Sequence, residues 1–168
     1  MSDVNSRENT SALFREAMSR LGAAVTVLTT DGPAGKHGMT ASAVCSVTDS
    51  PPTLLVCVNT TNRSHDLFVK NGTLCVNVLS GAHRDLSGHF ARPSDHDRFA
   101  TGDWTQGVTG APVLQDAAVA FDCQITDQKS VGTHSVFFCE VQHIAIGQPQ
   151  AEGLIWFGRD FHHLRAAC

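Results

Sequence analysis

The stretch GMTASAVCSVTDSPPTLLVCVN, residues 38–59, decides the fold that the sequence predicts. It contains two strands, Met39–Thr48 and the wholly apolar Thr53–Val58, with Pro51 and Pro52 between them. Along the first strand small hydroxyl residues alternate with apolar ones, so the small polar groups share one face. These hydroxyl residues are Thr40, Ser42, Ser46 and Thr48. Such a face lets a flat ring approach the backbone and hydrogen-bond to it; the alternative is a half-buried edge strand.

Strands of the same kind are predicted on both sides of this stretch. One precedes it, at Ala23–Thr30. Four more follow, at Thr73–Ser80, 119–127, 131–146 and Gly153–Phe157. About seven strands with two or three short helices predict a mainly β fold, an antiparallel barrel rather than alternating β and α units.

The predicted helices are short. An amphipathic helix begins at Ser11 and ends before Gly22, and another covers Gly81–Phe90. One or two helical turns are expected within residues 62–70, and a long loop over 91–112. Residues 1–10 are expected to be a disordered lead. The sequence shows no linkers, repeats or low-complexity tracts, which predicts a single domain over residues 11–168.

Composition narrows the class of protein. A net charge of −4 over 168 residues gives no general attraction to nucleic acid or to anionic membranes. The N-terminus has no basic stretch followed by an apolar core, and no apolar run is long enough to span a bilayer, so a soluble cytoplasmic protein is expected. The six cysteines form no CxxC pair and four lie in apolar runs, which predicts reduced, buried thiols without a catalytic role.

Two tempting motifs do not fit their chemistry. Gly32, Gly35 and Lys36 resemble part of a phosphate-binding loop, but a strand rather than a helix follows them, which indicates a hairpin turn. The nine histidines show no paired ligand spacing, and the cluster of His162, His163 and Cys168 has no second anchored ligand. No metal site is therefore expected.

Several segments, taken in order, resemble one known family. They are TASAVCSVTDSPPTLLVCVN, TLCVNVLS, DRFATGDWTQGVTGAPVL, VGTHSVFFCEV and WFGRDFHHL. Together they are similar to the flavin reductase-like, split-barrel FMN-binding family, and most of all to the reductase components of two-component flavin-dependent monooxygenases of the 4-hydroxyphenylacetate hydroxylase and pyrimidine-utilisation types.

The resemblance implies both a fold and an activity. The fold would be a six-stranded split barrel in Greek-key order that works as a homodimer. The activity would be that of an NAD(P)H:flavin oxidoreductase, which reduces FMN or FAD with NADH and supplies free reduced flavin to a partner monooxygenase. The alternative is a non-catalytic flavin-binding protein of the same fold. The sequence does not decide whether the flavin is FMN or FAD, or whether the reductant is NADH or NADPH.

The resemblance also implies the site residues. Those that would line the flavin are Thr40, Ala41, Ser42, Ala43, Cys45, Asn77, Val78 and Leu79. Asn59, Arg63 and Ser64 match the turn that binds the flavin phosphate, and Phe90 would cover the flavin or belong to the core. His134 would orient the nicotinamide of NADH rather than act as an acid or base. The closing motif, which would complete the NADH pocket or the dimer contact, comprises Phe157, Arg159, Phe161 and His162.

Overall fold

The computed structural model describes residues 2–92, 97–148 and 152–165, with side chains from residue 9 onward. The chain is mainly β with few helices. The helices are α1 (Ser2–Ser19), α2 (His65–Asn71) and α3 (Arg84–Ala91), with single 3₁₀ turns at Gly81–His83 and Arg98–Ala100. The strands are β1 (Ala23–Ala24), β2 (Thr26–Thr30), β3 (His37–Ala41), β4 (Val44–Asp49), β5 (Pro52–Asn59), β6 (Thr73–Val78), β7 (Trp104–Gln106), β8 (Pro112–Leu114), β9 (Val119–Val131), β10 (His134–Ile146), β11 (Gly153–Phe157) and β12 (Asp160–Leu164).

Seven strands form one antiparallel sheet in the order β3-β2-β6-β9-β10-β5-β4. A second sheet has the order β1-β11-β12, and β7 pairs with β8. All five residues of β2 are buried, and successive side chains enter different hydrophobic clusters because strand residues alternate between faces. Val27 packs with Leu79, Phe90 and other residues, whereas Leu28 packs in a separate cluster with Phe137.

The connection between β3 and β4 shapes the large sheet. These strands lie at opposite edges of the seven-strand order, yet only Ser42 and Ala43 separate them in sequence. Three Cα–Cα steps span at most about 11 Å, so the sheet must curve until the end of one edge strand approaches the start of the other. The single strand predicted over Met39–Thr48 is therefore wrong: the chain leaves one edge at Ala41 and joins the other at Val44.

Two other predictions about secondary structure need correction. β12 was not predicted, because the two-residue turn before it places Gly158 and Arg159 at φ values of 60° and 66°, a hairpin geometry that arginine seldom adopts. The predicted loop over 91–112 contains a 3₁₀ turn and β7.

Helix α1 differs from its prediction at both its start and its surface. It begins at Ser2 rather than Ser11, while the division of the chain at residue 10 stays a prediction. Its predicted apolar stripe is solvent-exposed in the single chain, with Leu13 62% and Phe14 63% accessible. No helix in the described part of the chain is long and apolar enough to cross a membrane.

Candidate functional site

Three adjoining cavities follow strand β3 along the surface. The first, of about 400 Å³, lies beside His37 and Met39, and the second, of about 220 Å³, beside Thr40 and Ala41. Ala91 lines both of these cavities. The third, of about 990 Å³, shares Ser42 and Trp156 with the second. We call the three cavities together the β3 groove. Its length suits an elongated ligand.

The first cavity is the basic end of the groove. Arg63, Arg92 and Arg98 line it, and among the residues that the structure describes no carboxylate does so. Arg98 donates from one guanidinium nitrogen to the carbonyl of Gly38 at 2.7 Å and from another to the carbonyl of Arg92 at 2.8 Å. Burial, and then the charge of Arg63, lower the pKa of Arg98 from its usual value, although a guanidinium remains protonated at any physiological pH. An unbalanced group of arginines of this kind is suited to an anion.

The predicted phosphate turn lies at this basic end. Asn59 and Arg63 both line the cavity. The Oδ1 atom of Asn59 accepts from the backbone N–H and the hydroxyl of Thr61, each at 2.9 Å, and Oδ1 of Asn62 accepts from the N–H of Ser64 at 2.9 Å. These side chains fix the turn through their oxygens, which leaves their NH₂ groups for a ligand.

Ser64 is placed differently from its prediction. It is fully buried and does not line the cavity. Its Oγ lies 2.8 Å from Nδ1 of His37, and His37 lines the cavity. Ser64 therefore contacts the imidazole of His37 on the cavity wall without facing the cavity itself.

The other end of the groove has small and aromatic walls. Thr40, Ala41 and Ser42 line the second cavity together with Trp156 and Phe161, whose rings are 4.9 Å apart in an edge-to-face contact. Ala43, Cys45 and Val78 line the large third cavity. Thr40 donates from its hydroxyl to the carbonyl of Ser87 at 2.6 Å, which fixes β3 against α3. The sequence-predicted flavin-lining residues of this region therefore lie along one continuous surface.

Two predicted flavin contacts, Asn77 and Leu79, fall in the core instead. Asn77 is fully buried; its NH₂ group donates to the carbonyl of Val27 and the hydroxyl of Thr29, each at 3.1 Å. Leu79 is also fully buried, and its backbone N–H and C=O both pair within the chain. The side chains of Asn77 and Leu79 thus have no surface to offer a ligand. Phe90, predicted either to cover the flavin or to belong to the core, is 1% exposed and packs on Phe99 and Trp104; it belongs to the core and also lines the basic cavity.

His134 lies beside the phosphate turn. It is exposed at the start of β10, directly opposite Asn59 of β5 in the antiparallel register. The N–H of Thr60 donates to the carbonyl of Thr133 at 3.0 Å, which ties the phosphate turn to the hairpin that bears His134. Within one chain His134 and the closing motif lie on different sheets.

The closing motif itself divides between two environments. Phe161 enters the groove with Trp156, whereas Phe157 contacts the ring of His162 at 5.8 Å. Arg159 pairs with Glu16 at 2.8 Å and thereby joins the β11–β12 turn to α1. Only Phe161 of the three predicted NADH residues in this motif lines one of the three cavities.

The five described cysteines are free thiols, and Cys57 among them is only partly buried, with a pKa that burial raises. Cys75, Cys123 and Cys139 are buried, and burial raises their pKa, to about 12 for Cys139. Cys45 is exposed in the groove, so the prediction that the strand thiols are all buried is wrong at this position. Cys168 lies outside the described residues.

The chain belongs to the family of proteins with a flavin reductase like domain, whose model matches residues 18–165. It is 55% identical over 152 residues to the FMN reductase (NADH) RutF of Pseudomonas syringae pv. syringae strain B728a, with 90% of this chain and 85% of that protein covered. A structure from Haemophilus somnus 129PT, described as a flavin reductase, has a TM-score of 0.87 and 47% identity and covers 91% of this chain and 98% of its own. The styrene monooxygenase flavin reductase of Pseudomonas putida S12 has a TM-score of 0.82 and 25% identity, covering 92% of this chain and 99% of that chain.

Among the groove residues that sequence reasoning missed are His37, Arg92, Arg98 and Trp156. Arg98 and Trp156 stand inside the segments DRFATGDWTQGVTGAPVL and WFGRDFHHL, so the family motifs marked the region without indicating the role of these residues. His37 and Arg92 carried no signal, because each looks like an ordinary residue of a turn or a helix end.

Proposed function

We propose that this chain is an NADH-dependent flavin reductase, which reduces FMN and releases it to a flavin-dependent monooxygenase. The observation that carries the proposal is the β3 groove, which runs from a basic end to a wall of small and aromatic side chains. The P. syringae relative supports the choice of FMN and NADH, and the P. putida neighbour supports a monooxygenase as the receiving enzyme. We place the protein in the cytoplasm, because the proposed reaction consumes NADH.

The groove fits a flavin mononucleotide in one orientation. The phosphate would lie between Arg63 and Arg98, where charge-assisted hydrogen bonds are available. The ring system would lie against Thr40–Ala43, where the short side chains permit close approach to the backbone. Trp156 and Phe161 would close the ring end with aromatic surface.

The role of the chain in the reaction is to bind and to orient. When bound, a flavin would supply the acceptor for a hydride from NADH and the carrier of two electrons to the receiving enzyme. Thr40–Ala43, Trp156 and Phe161 would hold the flavin ring, and the open side of the groove would admit NADH, so that the chain supplies orientation. Because Ser42 and Ala43 are exposed, the site is open to solvent and suits a flavin that is released rather than retained.

His134 keeps its proposed part in NADH binding. Its position opposite Asn59 puts it within one strand of the phosphate turn, so a dinucleotide that contacts His134 would pass near the basic end. Phe161 would meet the nicotinamide side of the site, and His162 and Phe157 would support the strand that carries it.

The curved sheet supports the split-barrel fold that the family resemblance implies. Its two edge strands are joined by Ser42 and Ala43, and these residues line the groove. We identify the gap between the edges as the split, and the return of the chain after β5 to pair β6 with β2 supports Greek-key order.

A homodimer accounts for the exposed face of α1. Phe14 and Met18 line the third cavity opposite Cys45, and Leu13 and Leu21 are both more than 60% exposed. A contiguous apolar surface of this kind is typical of an interface between subunits. A second copy of the chain would cover it and narrow the groove at its ring end.

Steady-state oxidation of NADH in the presence of FMN, FAD or riboflavin tests the activity. We expect turnover with added flavin, and we expect Ser42→Trp to abolish it, because an indole at this position fills the junction of two cavities. The matched control is Ser46→Trp, which adds the same group at another exposed serine of the same segment that lines none of the three cavities.

Two results would contradict the proposal. Flavin binding without NADH oxidation would identify a non-catalytic flavin-binding protein. Equal loss of activity in Ser42→Trp and Ser46→Trp would mean that the groove is not the site.

A further inference from the structure

We propose that His37 is a proton-coupled ligand for the flavin phosphate, which makes the basic end of the groove select a phosphomonoester over a pyrophosphate diester. The inference rests on the proposed function and adds a specificity-determining residue to it. A phosphomonoester is the terminal group of FMN, whereas the two phosphates of FAD are joined to each other in a pyrophosphate.

The position of His37 allows one of its ring nitrogens to contact an anion in the basic cavity. It begins strand β3 and lines the basic cavity together with Arg63 and Arg98. Its Nδ1 is held 2.8 Å from the buried hydroxyl of Ser64, which fixes the orientation of the ring. Among the described residues Nε2 has no hydrogen-bond partner, so this atom is available to a ligand in the cavity.

The charges that face His37 from the described residues of this cavity are all positive. Arg63 approaches from the turn before α2 and Arg98 from the 3₁₀ turn after α3, while Arg92 lines the same cavity. Lys36 is the neighbour in sequence, but its ammonium lies over the ring of Phe99, 5.1 Å from the centroid. The part of the chain that the structure describes provides no carboxylate in this cavity to offset these charges.

This environment disfavours the protonated form of the imidazole until an anion arrives. Burial, followed by the charges of Arg98 and Arg63, lowers the pKa of His37 below its usual value near 6.5. A phosphate between the arginines and His37 reverses the electrostatic part of this effect and raises the pKa. The protonated ring then donates from both nitrogens, to Ser64 Oγ and to a phosphate oxygen.

The charge of the ligand decides how far this happens. A phosphomonoester loses its second proton near pH 6 and carries close to two negative charges above pH 7 on a single phosphate, whereas the pyrophosphate of FAD carries one on each of its two phosphates. The FMN dianion concentrates its charge at one point and therefore draws a proton onto His37 more strongly than the pyrophosphate of FAD does. Because the bound state has the higher pKa, binding takes up a proton, and affinity falls as pH rises through the interval between the free and bound pKa values.

Calorimetric titration of the wild-type protein with FMN, FAD and riboflavin at pH 6.5, 7.2 and 8.0 tests this directly. Repeating each titration in two buffers of different ionisation enthalpy measures proton uptake without any variant. We expect uptake with FMN, a fall of about 3- to 10-fold in FMN affinity between pH 6.5 and 8.0, and little change for FAD or riboflavin. Ionisation of FMN itself would shift the affinity in the opposite direction.

His37→Gln provides the second arm, because glutamine keeps a hydrogen-bonding group near Ser64 but cannot be protonated. We expect this variant to bind FMN at pH 6.5 about as weakly as the wild type does at pH 8.0, without proton uptake. The control is His89→Gln, an exposed histidine of α3 that does not line the basic cavity and should behave as wild type.

Other outcomes separate this inference from the proposed function. Proton uptake that persists in His37→Gln, or equal uptake with riboflavin, would overturn the role of His37 while leaving flavin reduction intact. Oxidation of NADH with FMN but without any proton uptake by the wild type would do the same. A wild-type protein that binds no flavin would overturn the proposed function itself.

Discussion

Replacing Arg63 with alanine separates phosphate recognition from ring recognition. The side chain is exposed, and within the described residues it takes part in no hydrogen bond or ion pair. Its removal should therefore leave the free energy of unfolding within about 0.5 kcal/mol of the wild type. What it removes is one cationic group from the wall of the basic cavity.

The expected effect on binding follows from that single group. A hydrogen bond to a charged partner contributes about 1.5–3 kcal/mol. Arg98 remains in the cavity and retains part of the attraction, so we expect the lower part of this range, about 1.5–2 kcal/mol. This corresponds to FMN binding that is about 10- to 30-fold weaker, and riboflavin, which has no phosphate, should bind as before.

Quenching of flavin fluorescence, titrated with FMN and with riboflavin at one fixed ionic strength, measures both quantities. Arg165→Ala is the control, because it removes an exposed arginine that pairs with Glu152, away from the groove. An equal loss of affinity for FMN and riboflavin would show that Arg63 supports the fold or the ring end. Unchanged FMN binding would place the phosphate elsewhere.

Three further predictions concern the core, the thiols and NADH. Asn77→Leu should lower the free energy of unfolding by about 2–5 kcal/mol, measured in urea, because it leaves buried partners unsatisfied, among them the N–H of Leu114; a smaller change would mean that the core relaxes around them. Cys45 should be alkylated before Cys75, and bound FMN should slow the labelling, which peptide mass spectrometry follows; labelling that ignores FMN would place the flavin away from β4. His134→Ala should lower the efficiency for NADH about 10- to 100-fold while changing the flavin dissociation constant less than about 3-fold, by stopped-flow reduction and flavin titration; a larger loss of flavin affinity would assign it to the phosphate turn.

The sequence predicts the interior of the large sheet better than its edges. The sequences of strands β5, β6 and β9 are either apolar throughout or alternate between apolar and polar residues. Such patterns predict strands that are buried on one or both faces of a sheet. The break between β3 and β4 is invisible to this reasoning, because Ser42 and Ala43 continue the alternation of the residues around them. Which edge a strand joins depends on pairing with distant strands, and a local pattern contains no information about that.

The sequence predicts those site residues that belong to one contiguous motif, and it misses those that folding brings in from distant parts of the chain. Thr40 and Arg63 belong to contiguous motifs, and the structure places both in the groove. Arg98 reaches the same cavity by bonding to the carbonyl of Gly38, 60 residues away in the sequence. Asn77 shows the opposite error, since a polar residue in a family motif suggested ligand contact but its amide instead joins three strands in the core.

The residues that interrupt the sheet are also the residues that make the site possible. If Ser42 and Ala43 continued β3 as one strand, their backbone groups would pair regularly with a neighbouring strand; in the structure the carbonyl of Ala43 accepts from the N–H of Cys57 at 3.0 Å, while Ser42 lies outside the ladder. Leaving the ladder at Ala41 and rejoining it at Val44 exposes this short stretch between two fixed ends. The same break puts β3, with His37 and Thr40, on one side of the gap and β4, with Cys45, on the other. A ligand bound at the basic end could thus extend a ring into the gap. The break between Ala41 and Val44 therefore accounts both for the curvature of the sheet and for the continuation of the groove past β3.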